Sequence, residues 1–565
     1  MNQILPDVNS LIEKLSTKHP DEVIGELTRI GAPAVDSLIP VLNGERKVRS
    51  DEVRRLAPWG LEGLEAQAAN DKWVRVYAAK ALGRIGDARA VKALGDSLYD
   101  SDWLLRDEAA RALGACGPEG VATLLRTLRD KTCKGRDSSA KALGEARETS
   151  AVDALNRALT EPELCVSAAE ALGKIGDPRA VPAFIRALRH NRRRRRGPKW
   201  KWNWDVCAFE VRVAEAFGVI KDITAFEPLI SIIEGGSKEA QVAAANALGK
   251  LGDPRAVPVL LSLLPSGVRN PLVSPGKTRL FPRLITAIRH RKDTHSVARS
   301  NSSAEAEWGG DPELARAALA SLAEIGDISV IEPLVRVIVR TGALRYEIAE
   351  TLVKFGNAAV APLVRQIDHI SGGVRAALIQ LGGSAVESLI GALGDNSRRS
   401  NAACLLGEIG DRRAVEPLIR SLAPACGSEV ISALGKLGDA RAVEPLVRLL
   451  DAGCRLDVIS ALEKLGDARG AILPMVMEMK SAERECAEFE SAEAVEWAEK
   501  IEPVLRRILA SKSGAVAPDD LRLLGTLQDT YDYRYMNGYK KIDFSEVKQL
   551  AREQLNLHQR QDLGT

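Results

Sequence analysis

A fourteen-residue phrase recurs along this chain and constrains its fold more than any other feature. Residues 81–94 read ALGRIGDARAVKAL, 171–184 ALGKIGDPRAVPAF, 247–260 ALGKLGDPRAVPVL and 433–446 ALGKLGDARAVEPL. Weaker copies lie at 112–125, 142–155, 216–229, 321–334, 351–363, 405–418 and 461–473. With the glycine of the Gly-Asp pair as a ruler, equivalents fall at 86, 117, 147, 176, 221, 252, 326, 356, 382, 410, 438 and 466. Most intervals are 26 to 31 residues, and only 176 to 221 and 252 to 326 are longer. Gly31, followed by APAVDSLIPVL, joins the series, and a degraded copy is expected near Gly60. A fixed period of this size means stacked units, about fourteen of them, each too small to bury a core alone.

Each unit reads as two helices. Val74, Ala78, Leu82 and Ile85 form one apolar stripe, and Gly86 sits where a helix end needs a left-handed residue. Asp87 then caps the next helix by accepting a backbone N–H. In Asp177-Pro178 and Asp253-Pro254 the proline takes the first helical position, where its missing N–H costs nothing. A second proline recurs further on, at 182, 228, 258, 333, 362, 417 and 445, and is expected to kink that helix. Arg75, Arg106, Arg345 and Arg455 recur at one position and are expected to pair with the cap aspartates of neighbouring repeats.

Composition agrees with an all-α stack. Hydrophobic residues make up 45% of 565, but aromatic residues only 4%, so the core is built from Ala, Leu, Val and Ile. The 79 basic and 76 acidic residues give a net charge of +3, and no global field identifies a partner. No stretch resembles a membrane span. The first fifteen residues contain acids and no basic leader, which argues against a secretory signal. The eight cysteines are scattered without a CxxC and read as reduced thiols, so a cytoplasmic location is expected.

The pattern VRxxAAxALGxIGDxRAVxPLI resembles the HEAT-like repeats of phycobilisome lyases, over roughly residues 20–475. That resemblance implies a right-handed α-solenoid whose VRxxAAxALG helices line the concave face. It would place Trp73, Val76, Tyr77, Lys80 and Arg84 of one layer in the groove, with Asp107, Glu108 and Arg111 of the next. The bland alternative for each is a solvated helix face.

Insertions in repeat proteins map to loops on one edge. The first break contains Arg192, Arg193, Arg194, Arg195, Arg196, Lys199, Trp200, Lys201, Trp202 and Trp204; residues 189–204 carry eight basic side chains and no acid. The second, about 265–311, contains Lys277, Arg279, Arg283, Arg289, Arg291 and Lys292; residues 269–299 carry a net charge of +7. Together they hold +15, so the remainder sums to −12. Both follow an outer helix and precede a groove-lining one, which puts them on one edge. This arrangement reads as a basic clamp, gripping an acidic protein surface through Trp and Arg or stacking on bases while arginines hold phosphates. A solvated arginine loop is the alternative.

The repeat solenoid is expected to occupy residues 1–475. Residues 478–502 hold nine Glu against three basic residues, expected as a capping helix region across 476–512; docking on the basic edge is the other reading. Residues 513–565 read as a linker and a helical tail rich in tyrosine, with Tyr531, Tyr533, Tyr535 and Tyr539 clustered before an amphipathic helix at 545–557.

Catalytic signals are poor. None of the six histidines is followed by Glu, and there is no P-loop, GxSxG or HExxH. Cys165 and Cys404 are more naturally apolar fillers than nucleophiles. No cofactor or metal site is expected. The chain therefore reads as a non-catalytic scaffold or adaptor for protein partners. A nucleic-acid-binding solenoid is the alternative, and a lyase-like chaperone rests on the resemblance alone.

Overall fold

The computed structural model describes residues 7–15, 20–48, 64–194, 203–265, 310–340, 344–369, 371–422, 428–449, 455–465, 506, 522, 524–525, 530–535, 538–543 and 545–562. They divide into two compact units. The first comprises the described residues to Leu264 and from Gly310 to Asp327; the second comprises Pro265 and those from Ile328 onward.

The first unit carries α1 (Val8–Lys14), α2 (Pro20–Ile30), α3 (Ala32–Leu42), α4 (Leu64–Ile85), α5 (Val91–Ser97), α6 (Trp103–Ala115), α7 (Pro118–Arg129) and α8 (Arg136–Glu145). It continues with α9 (Val152–Ala158), α10 (Cys165–Ile175), α11 (Val181–Arg194), α12 (Asn203–Ile220), α13 (Phe226–Gly235), α14 (Lys238–Leu251), α15 (Val257–Ser262) and α16 (Pro312–Ile325). The second unit carries α17 (Ile331–Arg340), α18 (Arg345–Lys354), α19 (Asn357–Arg365), α20 (Gly372–Leu381), α21 (Val386–Ala392), α22 (Arg399–Ile409), α23 (Val415–Arg420), α24 (Ser428–Leu437), α25 (Val443–Val447) and α26 (Arg455–Leu465). Each unit is an α-solenoid in which inner and outer helices alternate.

Inner helices stack directly on one another: α4, α6, α8, α10, α12, α14 and α16 in the first unit, and α18, α20, α22, α24 and α26 in the second. Their small residues set the spacing. A Cβ added to Gly144 would lie 2.5 Å from Ala171 Cα, and one added to Gly407 would lie 2.7 Å from Ala433 Cα. Outer helices touch one another less. Between the rows lies a continuous apolar seam, with Leu82, Leu113, Leu143, Leu172, Phe217 and Leu248 of the inner row fully buried. Leu94, Leu124, Leu155, Phe184, Leu229 and Leu260 meet them from the outer row. Each such side chain contributes about 1.5–3 kcal/mol by leaving water. The stack runs on across both long intervals: Gly173 packs on Ala216, and Ser321 Oγ donates to Ala245 O at 2.8 Å.

The turn between the two helices forms as its residues dictate. Gly86, Gly176, Gly252 and Gly410 have φ of 73°, 73°, 69° and 75°. Arg147 and Lys221 hold the same place with φ of 51° and 57°, a conformation that crowds a Cβ. Asp87, Asp177, Asp253, Asp411 and Asp439 each accept the N–H two residues on, opening a short 3₁₀ turn that leads into the outer α-helix.

That turn overturns the expected proline kink. The α-helices begin at Val181, Phe226, Val257, Ile331, Val415 and Val443, so Pro182, Pro228, Pro258, Pro333, Pro417 and Pro445 occupy second or third positions. There an N–H has no partner within the helix, and proline costs little. Of the recurrent prolines, Pro362 alone lies inside a helix, α19.

The recurrent arginine pairs across layers, as Arg75 does with Asp100 at 2.8 Å, but it also holds main-chain carbonyls that its spacing did not predict. Arg75 Nε donates to Leu42 O at 2.8 Å, Arg136 Nε to Leu128 O at 2.9 Å and Arg399 Nε to Leu393 O at 3.1 Å. Arg106 holds the carbonyls of Asp100 and Ser101 at 2.9 and 2.8 Å. In the first three, a cation sits at the carbonyl end of an outer helix, where the dipole favours it. The cap aspartates are instead clasped by the Arg two residues on, as in Asp87 with Arg89 and Asp439 with Arg441.

Residues 530–535 and 538–543, expected within a helical tail, form two paired antiparallel strands, β1 (Thr530–Tyr535) and β2 (Gly538–Asp543). Tyr531 pairs with Ile542 and Tyr533 with Lys540. A helix, α27 (Ser545–Asp562), follows. The degraded copy near Gly60 and residues 478–502 lie outside the described residues.

Candidate protein-binding surfaces

On the inner face of the first unit, charges are matched from layer to layer. Asp21 takes Lys80 at 2.7 Å and Arg84 at 3.9 Å. The Lys80 hydrogen bond holds the Asp21 carboxyl below its ordinary range. Arg111 bonds Glu108 on its own helix and Glu145 on the next, the latter at 3.3 Å. Lys174 lies 3.8 Å from Glu145 and 2.9 Å from Glu170, and Arg212 lies 4.0 Å from Glu170 and 2.8 Å from Glu215. Asp107 accepts from Ser138 of the next layer, as Asp137 does from Ser167. Exposed pairs of this kind each contribute about 0–1 kcal/mol. Their larger effect is to leave little unbalanced charge on this stretch.

What stands out on that face is aromatic. Trp73 stacks on Tyr77 with ring centroids 6.0 Å apart and planes at 26°, yet Trp73 is 47% exposed. Trp103, which the sequence analysis did not single out, opens α6 and is 59% exposed. The residues just before them, Lys72 and Asp102, form an ion pair at 3.0 Å between the two neighbouring inner helices that carry the indoles. Asp102 also caps α6 through Leu104 N at 3.0 Å, which fixes Trp103 at the first helical position. The structure thus gathers Trp73, Tyr77, Lys80 and Arg84 on one layer and Asp107, Glu108 and Arg111 on the next. Of these, Lys80, Arg84, Asp107, Glu108 and Arg111 are committed to one another or to neighbouring layers.

The inner face of the second unit is different. An open cavity of about 210 Å3 lies against α22, α24 and α26, and Cys404, Glu429, Ser432, Lys436 and Asp457 line it. Of these, Lys436 lies 3.6 Å from Glu408, which also takes Arg375. Ser432 and Cys404 occupy the helical position that Lys80 and Arg111 fill in the first unit, and their small side chains leave the space open.

Of the basic segments, Arg192, Arg193 and Arg194 belong to α11, which runs on past Arg189, and Trp204 lies in the first turn of α12. Residues 195–202 and 266–309 lie outside the described residues, and with them Arg195, Arg196, Lys199, Trp200, Lys201, Trp202, Lys277, Arg279, Arg283, Arg289, Arg291 and Lys292. Among the described residues no group of three or more His, Cys, Asp or Glu is placed to hold a metal. No described helix is long and apolar enough to cross a membrane. Cys165 is buried and donates to Pro162 O at 3.4 Å. Burial pushes the Cys116 thiol up to about 11, so it stays protonated near neutral pH.

With stacked helix pairs and this turn geometry in place, the comparisons are decisive for the repeat type. Residues 61–136 and 121–197 match HEAT repeats, and residues 240–264, 398–423 and 428–452 match the PBS lyase HEAT-like repeat. The chain is a HEAT-repeat protein. No curated protein matches this HEAT-repeat chain. Among solved structures it is similar to the complex of CpcE and CpcF of phycocyanin lyase from Nostoc sp. PCC7120, at 21% identity over 52% of this chain and 93% of that one, with a TM-score of 0.27. It is also similar to Kap121p bound to Pho4p, at 12% identity over 97% of this chain and 64% of that one, with a TM-score of 0.44. Importin beta in an ammonium sulfate condition gives 14% identity over 97% of this chain and 82% of that one, with a TM-score of 0.35. The chain thus spans 64% of the length of Kap121p.

Proposed function

We propose that this HEAT-repeat protein is a non-catalytic scaffold that holds protein partners along its inner-helix face. The observation that carries the reading is the exposed pair Trp73 and Trp103 on adjacent inner helices, standing among charges already matched to one another. Large rings fixed on rigid helices lose little freedom on contact and dominate binding energies when a partner buries them. The segments 189–204 and 269–299, with net charges of +8 and +7, are the proposed second contact, for an acidic protein surface. Their three interleaved tryptophans favour one other reading, single-stranded nucleic acid held by stacking and phosphate contacts.

Affinity capture from native lysate, with and without nuclease, separates the two. Stoichiometric proteins that survive nuclease belong to the scaffold reading. Recovery of nucleic acid, with a steep loss of affinity as salt rises, belongs to the other. Serine in place of Arg192 through Arg196 is expected to weaken capture while leaving circular dichroism unchanged.

A further inference from the structure

We infer that the cavity on the second unit receives a guanidinium or ammonium side chain from the bound partner; this rests on the scaffold reading and names the chemistry of one of its contacts. The inference comes from comparing layers at one helical register. In α6, Glu108 is neutralised by Arg111 three residues on. In α24 the residue three on from Glu429 is Ser432, and in α26 the residue three on from Asp457 is Ser460. Residues at this spacing face each other on a helix, so Glu429 and Asp457 lack the cation that their register supplies in α6. Lys436 also lines the cavity, but its ammonium lies 3.6 Å from Glu408, and neither Glu429 nor Asp457 has an ion pair among the described residues.

The open space lies where the missing side chain would stand. Ser432 in place of a long cation leaves the cavity of about 210 Å3, lined by Glu429, Asp457 and Ser432 together with Lys436. A planar guanidinium offers five donors to such a set and an ammonium offers three. An arginine from the partner would take up the role that Arg111 plays in the first unit. Glu429 is half-buried, so part of its solvation is already lost and an incoming cation meets a less screened charge.

Cys404 lines the cavity and serves as a reporter. The full chain is treated with iodoacetamide and alkylation at Cys404 is read by peptide mass spectrometry, with half-exposed Cys207 as internal reference. The probes are N-acetyl-arginine methylamide and its neutral counterpart N-acetyl-citrulline methylamide. The arginine compound is expected to slow alkylation of Cys404 by one plus the ratio of ligand to Kd, about threefold at twice Kd. The citrulline compound should leave it unchanged, and Glu429→Gln with Asp457→Asn should abolish the protection. Ser432→Arg places the guanidinium within the chain and should slow alkylation by itself, with no further effect of the probe; this variant guards against misfolding of the double one.

Equal effects of the two compounds overturn the inference. So does persistence of protection in the folded double variant, or unchanged reactivity in Ser432→Arg. In those cases Glu429 and Asp457 are first-turn acids that favour their helix ends. Because the probes are small molecules, such a failure leaves partner capture through Trp73 and Trp103 untouched.

Discussion

Arg89 reaches back to the preceding repeat and donates to the carbonyl oxygen of Ala32 at 2.7 Å. The same guanidinium holds Asp87 of its own turn and, at 2.8 Å, Asp36 of the earlier outer helix. Arg179 and Arg413 repeat the reach, to Thr149 O at 3.2 Å and Gly383 O at 2.8 Å. One side chain thus closes its own cap and fastens it to the repeat before. Arg413→Ala is expected to lower stability, shifting the urea midpoint to lower concentration, because both bonds are lost together. Arg413→Lys should recover little of it, since lysine lacks the fork. Urea unfolding followed by circular dichroism measures both.

Acid should loosen these clasps together. Asp87, Asp177, Asp253, Asp411 and Asp439 are all held below their ordinary carboxylate value, chiefly by the arginine side-chain hydrogen bond. For Asp439 the folded value is about 2 against an ordinary 3.8. A lowered folded value binds fewer protons in the folded state, so the stabilisation is complete above the ordinary value and is lost as pH falls through the folded one. Unfolding midpoints from neutral pH downward should therefore fall below about pH 4. Asp439→Asn keeps an acceptor for the N–H but should show a shallower fall over that window.

Lys221 and Arg147 occupy the left-handed turn position that glycine holds in neighbouring repeats, with φ of 57° and 51°. A side chain there costs roughly 1 kcal/mol, reduced by the extra freedom glycine has when unfolded. Lys221→Gly is expected to raise stability by a few tenths to about 1 kcal/mol. Gly176→Ala, at φ 73°, should lower it by a similar amount.

Glycines of the inner row should respond by contact, not by conformation. Gly144→Val places a branched side chain where even a Cβ meets Ala171 Cα at 2.5 Å. A loss of about 1–3 kcal/mol is expected as α8 and α10 separate. Gly391→Ala in α21, where a Cβ meets nothing within 4 Å, should instead gain up to about 1 kcal/mol of helix propensity. Thermal unfolding distinguishes the two directions.

The repeat frame was legible because each of its parts has a local cause. Gly86 stands at a helix end, Asp87 caps the next helix, and Leu82 and Leu94 keep a helical period facing the seam. Proline was misread because a 3₁₀ turn of three residues moves the α-helix start from residue 178 to Val181, which turns Pro182 from an interior residue into a first-turn one. The reach of Arg75 to Leu42 O was not legible because it depends on how the layers stack, and no local spacing encodes that. The exposed Trp103 was missed for a related reason: its place beside the helix that carries Trp73 comes from the stacking of the layers. The open cavity appears only when Glu429 and Ser432 are compared with Glu108 and Arg111 at the same register. The strand pair at 530–535 and 538–543 does carry a local signal, an alternation of tyrosine with polar residues through Tyr531, Tyr533 and Tyr535, which fits a strand period.

The central claim is that partners dock on the inner face through its exposed indoles. The most direct test measures the affinity of a captured partner for the full chain and for Trp73→Ala combined with Trp103→Ala. Trp73 is 47% and Trp103 59% exposed, so the unfolding midpoint should not change. Affinity should fall at least about thirtyfold, as loss of about 2 kcal/mol at a hot spot requires. Undiminished affinity in the folded variant would contradict the claim and move the contact elsewhere on the chain.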